Sequence, residues 1–270
     1  MGSMSPPATP PGNRAVSRHF GGAARTYDAH ADVQLSAARA LIALLPADLQ
    51  PTRALDLGAG TAPMARRLQE RLPQSHWLAL DIALPMLQEA QTRGRLNARY
   101  SAVCADVMRL PLAHQSMDLL YSSFALQWCQ QLPALAAELT RVTAPGGVFA
   151  LCVPVAGTLG ELRDSWAEAD SAPHVNRFHT LQDWEAAFVA AGWFTETAHQ
   201  WQVQQHYPDV RAISHMLRAT GAHHVFRSQP QGLTGRRRLQ AMMAAYDTRR
   251  TDAGLPVTWQ IGQLVLRRPE

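Results

Sequence analysis

Three aspartates and a glycine turn are the residues whose types and spacing could do chemistry. The run Ala54-Leu55-Asp56-Leu57-Gly58-Ala59-Gly60-Thr61-Ala62 reads as an apolar strand ending on an acid, a glycine turn and the start of a helix. Small residues are needed where a backbone turns sharply and comes close to a ligand. Taken alone, one Gly-x-Gly serves NAD, FAD or S-adenosylmethionine equally, or is a plain strand–helix turn. Asp81 lies 21 residues after Gly60 at the end of a second strand-like run, where a carboxylate accepts hydrogen bonds from ribose hydroxyls. Asp106 closes a third, where an acid can accept from an exocyclic adenine amine. Singly, each acid also reads as a helix cap or turn residue. Three at successive strand carboxyl ends face one crevice, which favours a nucleotide-like cofactor. The longer glycine fingerprint that a dinucleotide pyrophosphate requires is missing.

These residues need a sheet to position them. Short apolar runs at 53–57, 76–82, 100–105, 117–122 and 148–153 read as strands, with helical patterns at 64–71, 85–93 and 132–142 between them. The last helix is closed by Ala144-Pro145-Gly146-Gly147. Alternation of this kind predicts parallel βαβ units in an α/β fold. Beyond residue 153 the rhythm changes. Helical stretches at 158–168 and 181–191 precede a strand at 195–205, and an arginine-rich helical segment, 209–251, separates it from a last strand at 257–267. Two terminal strands split by an insertion predict a hairpin at the sheet edge carrying a cap. The expected fold is therefore a mostly parallel seven-stranded sheet with helices on both faces and a helical cap inserted before the last strand. Residues 1–13, with Pro6, Pro7, Pro10 and Pro11, are expected as a disordered tail. The remainder, 14–270, is expected as one domain: a helical lid at 14–46 with a helix over 31–45, a cofactor-binding core at 50–155 and the cap at 206–256.

Composition removes other chemistries. All 25 basic residues among the 270 are arginine, so no Schiff-base lysine, no P-loop lysine and no ammonium general base exists. A GC-rich coding sequence accounts for that bias and for the abundant Ala and Pro. No apolar run approaches the roughly 20 residues that span a bilayer, and no signal peptide is read at the start, so a cytoplasmic, non-membrane protein is expected. Cys104, Cys129 and Cys152 are odd in number and sit in apolar stretches, as reduced core thiols would. The 11 histidines form no ligand motif, and no metal is expected. The net charge of +4 is uneven: +2 over residues 1–45, −4 over 46–205 and +6 over 206–270. Basic ends around an acidic middle suit an acidic macromolecule.

Residues 50–155 resemble the class I S-adenosylmethionine-dependent methyltransferases through ALDLGAG, LALDIALPML, CADVMRLPL, MDLLYSSFALQW and APGGVFAL. The resemblance implies a Rossmann-like class I methyltransferase fold with S-adenosyl-L-methionine as cofactor. It places Asp56, Gly58, Ala59 and Gly60 at the methionine end, and Asp81 and Ile82 at the ribose. Met86 packs near the adenine, Asp106 and Val107 hold its edge, and Ser122 and Ser123 line the floor. One departure stands out: the family usually has a third glycine where this chain has Ala62, followed by Pro63. If that position has a positive φ, alanine costs about 1 kcal/mol or more. A tolerated methyl and a helix started by Pro63 are expected.

The flanks are similar to the malonyl-[acyl-carrier protein] O-methyltransferases of biotin synthesis, the BioC family. They include HFGGAARTYDAHADVQ at 19–34, LYSSFALQWC, HVNRFHTLQDW at 174–184, LTGRRRLQAMMAAYD at 233–247 and LPVTWQIGQLVLRR at 255–268, in which Trp259 replaces a more usual tyrosine. This likeness covers nearly all of 18–268 and implies methyl esterification of the free carboxylate of malonyl-loaded acyl-carrier protein. By resemblance Tyr27 orients that carboxylate, and Gln34 and Trp128 shape the pocket. A carboxylate is already nucleophilic at neutral pH, so the lack of an obvious strong base fits. A carrier protein is acidic and offers its acyl group on a phosphate-bearing arm. Arg236, Arg237 and Arg238, with Arg211, Arg218 and Arg227, are its expected docking groups, since arginine forks suit carboxylates and phosphodiesters. Open alternatives are a methyltransferase for a free small acid of the aconitate type, and a non-catalytic binding module. Nucleic acid is not expected, because no recognition module accompanies the charge.

Overall fold

The computed structural model describes residues 11–220 and 235–270. Along the chain run α1 (Pro11–Ala23), α2 (Tyr27–His30), α3 (Asp32–Ala43), β1 (Arg53–Leu57), α4 (Ala65–Arg71), β2 (His76–Asp81), α5 (Leu84–Thr92), β3 (Tyr100–Cys104) and β4 (Met117–Ser123). A 3-10 turn (Leu126–Trp128) follows, then α6 (Leu132–Val142), β5 (Thr143–Pro154), α7 (Gly160–Ala169), α8 (Leu181–Ala190), β6 (Phe194–Tyr207), α9 (Val210–Ala219), α10 (Arg236–Asp247) and β7 (Leu255–Arg267).

The seven strands lie in the order β3-β2-β1-β4-β5-β7-β6. β1 pairs in parallel with β2 and β4, and β3 and β5 extend the parallel set outward. The chain thus reverses direction across the sheet between β1 and β4, and in open α/β sheets that switch point opens the crevice where ligands bind. Alternation along each strand feeds two cores. Ala54, Ala79, Leu119 and Ala150 pack with α3, α4 and α5 on one face. Leu55, Leu80, Leu120 and Phe149 pack with Leu135 and Leu139 of α6 and Trp184 and Phe188 of α8 on the other.

The terminal hairpin is present, with β7 seated antiparallel between β5 and β6, and β6 at the edge. Both strands outrun the expected limits by two residues at the cap end, because pairing continues to Tyr207 and Leu255. β5 also begins earlier than expected. Residues 144–147, read as a helix-closing turn, belong with Thr143 to its irregular start. Met117 pairs with Thr143 and Leu119 with Val148, so the intervening residues bulge out of register, helped by Gly146 at φ +70°.

At the N-terminus α1 starts at Pro11, so the end of the expected tail is the first turn of a helix; residues 1–10 lie outside the described residues. The expected helix over 31–45 is α3, preceded by the separate single turn α2. Ser17 Oγ donates to the Ile82 carbonyl at 3.0 Å, which ties α1 to the end of β2. Thr26 Oγ1 lies 3.4 Å from the Ala219 carbonyl, which brings α2 to α9. Between β6 and β7, Val210, Ile213, Met216 and Leu217 bury one stripe of α9 while Arg211 and Arg218 remain exposed. α10 packs on α7, and Tyr246 Oη donates to the Pro256 carbonyl at 2.8 Å. All three cysteines are free, but only Cys152 is a core thiol. Cys104 is exposed, since β3 ends the sheet on that side. Among the described residues no helix is long and apolar enough to cross a membrane.

Candidate active site

β1 delivers the glycine turn to the switch point. Gly58 has φ +68°, and a Cβ there would stand 2.1 Å from the Ala125 Cβ, so only glycine fits. The Gly58 and Ala59 amides donate to the Leu80 carbonyl at 2.7 and 3.0 Å, which stitches the turn to β2. Gly60 has φ +57° with nothing within 4 Å of a Cβ position, so its outer side is open. Ala62 adopts φ +50° and is fully buried. The position does require a left-handed backbone, and an alanine there carries about 1–2 kcal/mol of strain. The helix after it begins at Ala65 behind Met64, so Pro63 belongs to the turn and does not start the helix.

The acids stand around this turn. Asp81 accepts from the Gly60 amide at 2.8 Å and from the Ala83 amide at 2.8 Å. Burial pushes its pKa up to about 6 against those stabilising bonds. Asp56 is buried and accepts from the Tyr100 hydroxyl at 2.6 Å. Burial raises its pKa to about 7, with the neighbouring Asp81 charge adding to the effect. Both carboxylates would ionise more readily beside a cation. Asp106 accepts from the Met108 amide at 2.9 Å, a local turn that fixes the end of the segment after β3.

Three hollows meet here. The first runs along the strand ends and is lined by Gly58, Gly60, Asp81, Ile82, Met86, Asp106 and Val107. A second, narrower one lies behind the turn among Asp56, Ala59, Gln34 and Ser123. The third is a cavity of about 420 Å³ beside α7, α9 and α10, walled by Phe124, Leu159, Leu162, Trp166, Leu217 and Trp259 among others. Among the described residues, Tyr27 is the only one that lines all three. Phe20 stands beside it, its ring centroid 6.4 Å from Tyr27 and 5.6 Å from Trp128. Burial, with the charges of Asp28 and Asp81, holds the Tyr27 phenol above its usual pKa range. It stays protonated at neutral pH and can donate a hydrogen bond.

Most of the residues singled out from sequence thus line adjoining hollows. Ser122 does not: it is fully buried, and its hydroxyl donates to the Leu57 carbonyl at 2.9 Å, because alternation along β4 turns it opposite to Ser123. Gln34 is buried and borders the cavity and the hollow behind the turn. Arg218 lines the cavity, whereas Arg211, Arg236 and Arg237 are exposed without lining it. Arg238 reaches Asp170 at 3.7 Å, so part of its charge is answered within the chain. Arg227 lies outside the described residues. Sequence reading missed Phe20, Phe124 and the His174–Trp166 stack, whose ring centroids are 3.7 Å apart. His174 Nε2 also lies within hydrogen-bond distance of an Asp170 carboxylate oxygen, at 2.8 Å. Phe20, Phe124 and His174 all fall inside the quoted segments and could have been named, although nothing in the residue type of Phe124 signals its φ of +54°.

The residues present fit an adenosyl cofactor with an amino-acid tail. The open side of Gly60 leaves room for a close approach. Buried carboxylates offer partners for hydroxyls and for positive charge, and Met86 and Ile82 give an apolar seat for a base. Comparisons with known proteins agree. Residues 55–151 match a family described as "Methyltransferase domain". The chain is 47% identical to the malonyl-[acyl-carrier protein] O-methyltransferase of Alcanivorax borkumensis over 93% of its own length and 85% of that protein. It is 39% identical to the biotin biosynthesis bifunctional protein BioHC of Cellvibrio japonicus, over 97% of this chain and 51% of that longer protein. Among solved structures, an S-adenosylmethionine-dependent methyltransferase from Mesorhizobium loti superposes with a TM-score of 0.51 at 20% identity, over 85% of this chain and 96% of that one, a likeness of fold. With a class I methyltransferase sheet, a glycine turn and acids at its switch point, and a relative this similar over nearly its whole length, the chain belongs to the malonyl-[acyl-carrier protein] O-methyltransferase family.

Proposed function

We propose that this protein methylates the free carboxylate of malonyl-[acyl-carrier protein], a step of biotin synthesis in the cytoplasm, using S-adenosyl-L-methionine. The observation that carries the reading is the position of Tyr27, a protonated phenol at the junction of the cofactor hollows and the cap cavity. When bound, the cofactor supplies an electrophilic methyl group. Asp56, Gly58, Ala59 and Gly60 would hold its methionine end, Asp81 and Ile82 its ribose, and Met86, Asp106 and Val107 its adenine. Ser123 would line the floor, while Ser122 acts at one remove by pinning β4 to β1.

The remaining task falls to the chain. A carboxylate is ionised at neutral pH and needs no base to become a nucleophile. Tyr27 would donate to one carboxylate oxygen and leave the other directed at the methyl group. Alignment of this kind is worth about 7–11 kcal/mol in favourable cases. Phe20, Phe124 and Trp128 wall the junction and keep water from stabilising the separated charges that neutralise as they react. Gln34 would shape the pocket from below.

The cavity's apolar and aromatic wall suits the thioester end of a carrier's arm. We read residues 14–46 as a lid and 206–256 as a cap over that cavity, with 50–155 as the cofactor-binding core. Arg218 at the cavity and exposed Arg211, Arg236 and Arg237 would meet the arm's phosphate and the acidic carrier, with Arg238 held back by Asp170. The test is mass spectrometry of malonyl-carrier protein incubated with enzyme and cofactor. A methyl added to the malonyl moiety and removed by ester hydrolysis is expected. No methyl on the carrier, with a free small polycarboxylate methylated instead, would overturn the reading.

A further inference from the structure

The sequence neighbour of Tyr27 is the centre of a polar cluster that the catalytic reading leaves unused. Asp28 accepts from the Thr61 hydroxyl at 2.6 Å with one oxygen, and from Arg93 at 2.5 Å and Arg95 at 2.6 Å with the other. Its side chain is only 15% exposed, so these bonds are shielded from solvent. Arg95 doubles the link by donating to the Thr61 carbonyl at 2.9 Å and to its hydroxyl at 3.1 Å. Arg93 donates in addition to Glu89 at 2.8 Å and to the Arg25 carbonyl at 3.2 Å, two residues before Tyr27.

Three segments far apart in sequence are thereby locked together: the α2 turn, the glycine turn, and the end of α5 with the loop after it. Thr61 is fully buried and directly follows Gly60, whose amide is held by Asp81. A continuous path of bonds therefore runs from Asp81 through Gly60 and Thr61 to Asp28, and by one peptide to Tyr27. α2 itself is a single turn with no side-chain cap. A helix that short is not stable alone, so its side-chain contacts must set where the Tyr27 ring points.

We propose that Asp28 is a positioning residue that couples the cofactor turn to Tyr27, so that occupancy of the turn sets the orientation of the phenol. This rests on the assignment of the turn and of Tyr27 made above. The experiment uses full-length protein labelled with 3-fluorotyrosine, the Tyr27 resonance being identified by its loss in Tyr27→Phe. In the wild type, Tyr27 is expected to give one sharp signal that S-adenosylhomocysteine shifts. In Asp28→Asn the signal broadens before ligand is added and loses at least half of the ligand-induced shift, while ligand affinity stays within about fivefold. Thr61→Val, which cuts the same link from the other side and keeps the buried volume, is expected to behave alike. In turnover, Asp28→Asn lowers kcat about tenfold with KM little changed, but less than twofold in the Tyr27→Phe background, the non-additivity of residues acting through one another. An unchanged Tyr27 signal in Asp28→Asn, or an equal loss of turnover in both backgrounds, overturns the coupling. A wild type that binds ligand and shifts Tyr27 yet leaves malonyl-carrier protein unmethylated would refute the substrate instead, with the coupling intact.

Discussion

The two halves of the crevice are built by different means. On the strand side, the turn at 58–60 is fixed by its own amides, which donate to the Leu80 carbonyl and the Asp81 carboxylate, and by positive φ at Gly58 and Gly60, all within 30 residues of one another. On the cap side, the cavity wall is collected from α1, the turn after β4, α7, α9, α10 and β7, and is held by side-chain contacts between segments that lie up to about 240 residues apart. The comparison shows what each half can tolerate. A backbone-built site accepts many side chains but few changes of local conformation. A side-chain-built site is set by which residues face inward, and a single hydroxyl can decide its function.

The largest effect should come at the junction. Tyr27→Phe removes one oxygen from a site otherwise unchanged, and turnover is expected to fall about 100-fold, the scale of a small misplacement of reacting groups. Calorimetric affinity for S-adenosylhomocysteine should change less than about threefold. Near-wild-type turnover would take Tyr27 out of the site and leave the two halves functionally separate.

A smaller effect is expected on the cap surface. Arg236→Glu with Arg237→Glu should raise KM for malonyl-carrier protein about tenfold and leave a short malonyl thioester unaffected, because exposed charges act on the macromolecular partner. Steady-state kinetics on both substrates decide it; equal changes in both would place these arginines in folding or in the cavity. The effect should shrink as salt is raised.

The smallest change belongs to the backbone-built half. Ala62→Gly relieves about 1–2 kcal/mol of left-handed strain but deletes a buried methyl worth about 0.8 kcal/mol and loosens the unfolded chain by about 0.4–1 kcal/mol. Denaturant unfolding should therefore show a net shift within about 1 kcal/mol. A larger stabilisation would mean that the methyl is resisted by its surroundings as well as by its φ.

The same contrast governs how much could be read in advance. The strands of the parallel set, the glycine turn and the acids at strand ends follow from residue type and local spacing, and the structure has them there. The bulged start of β5 was misread because Pro145-Gly146-Gly147 is turn chemistry that here continues a ladder out of register. Ser122 was misplaced because adjacent residues of a strand face opposite sides, and nothing in Ser122-Ser123 says which one faces the hollow. Asp28 went unread because an aspartate early in a short helix is ordinary, and its partners are 33, 65 and 67 residues away.

By itself, then, the sequence determined the absence of lysine chemistry, which is composition alone, and the α/β alternation and the position of the glycine turn, which depend on neighbours along the chain. Tertiary structure alone decided that Tyr27 stands where three hollows meet, that Arg238 is partly answered by Asp170 while Arg236 and Arg237 stay exposed, and that Ala62 takes a left-handed backbone. Those outcomes depend on which distant segments pack together, and packing is settled by the shape and burial of the whole chain.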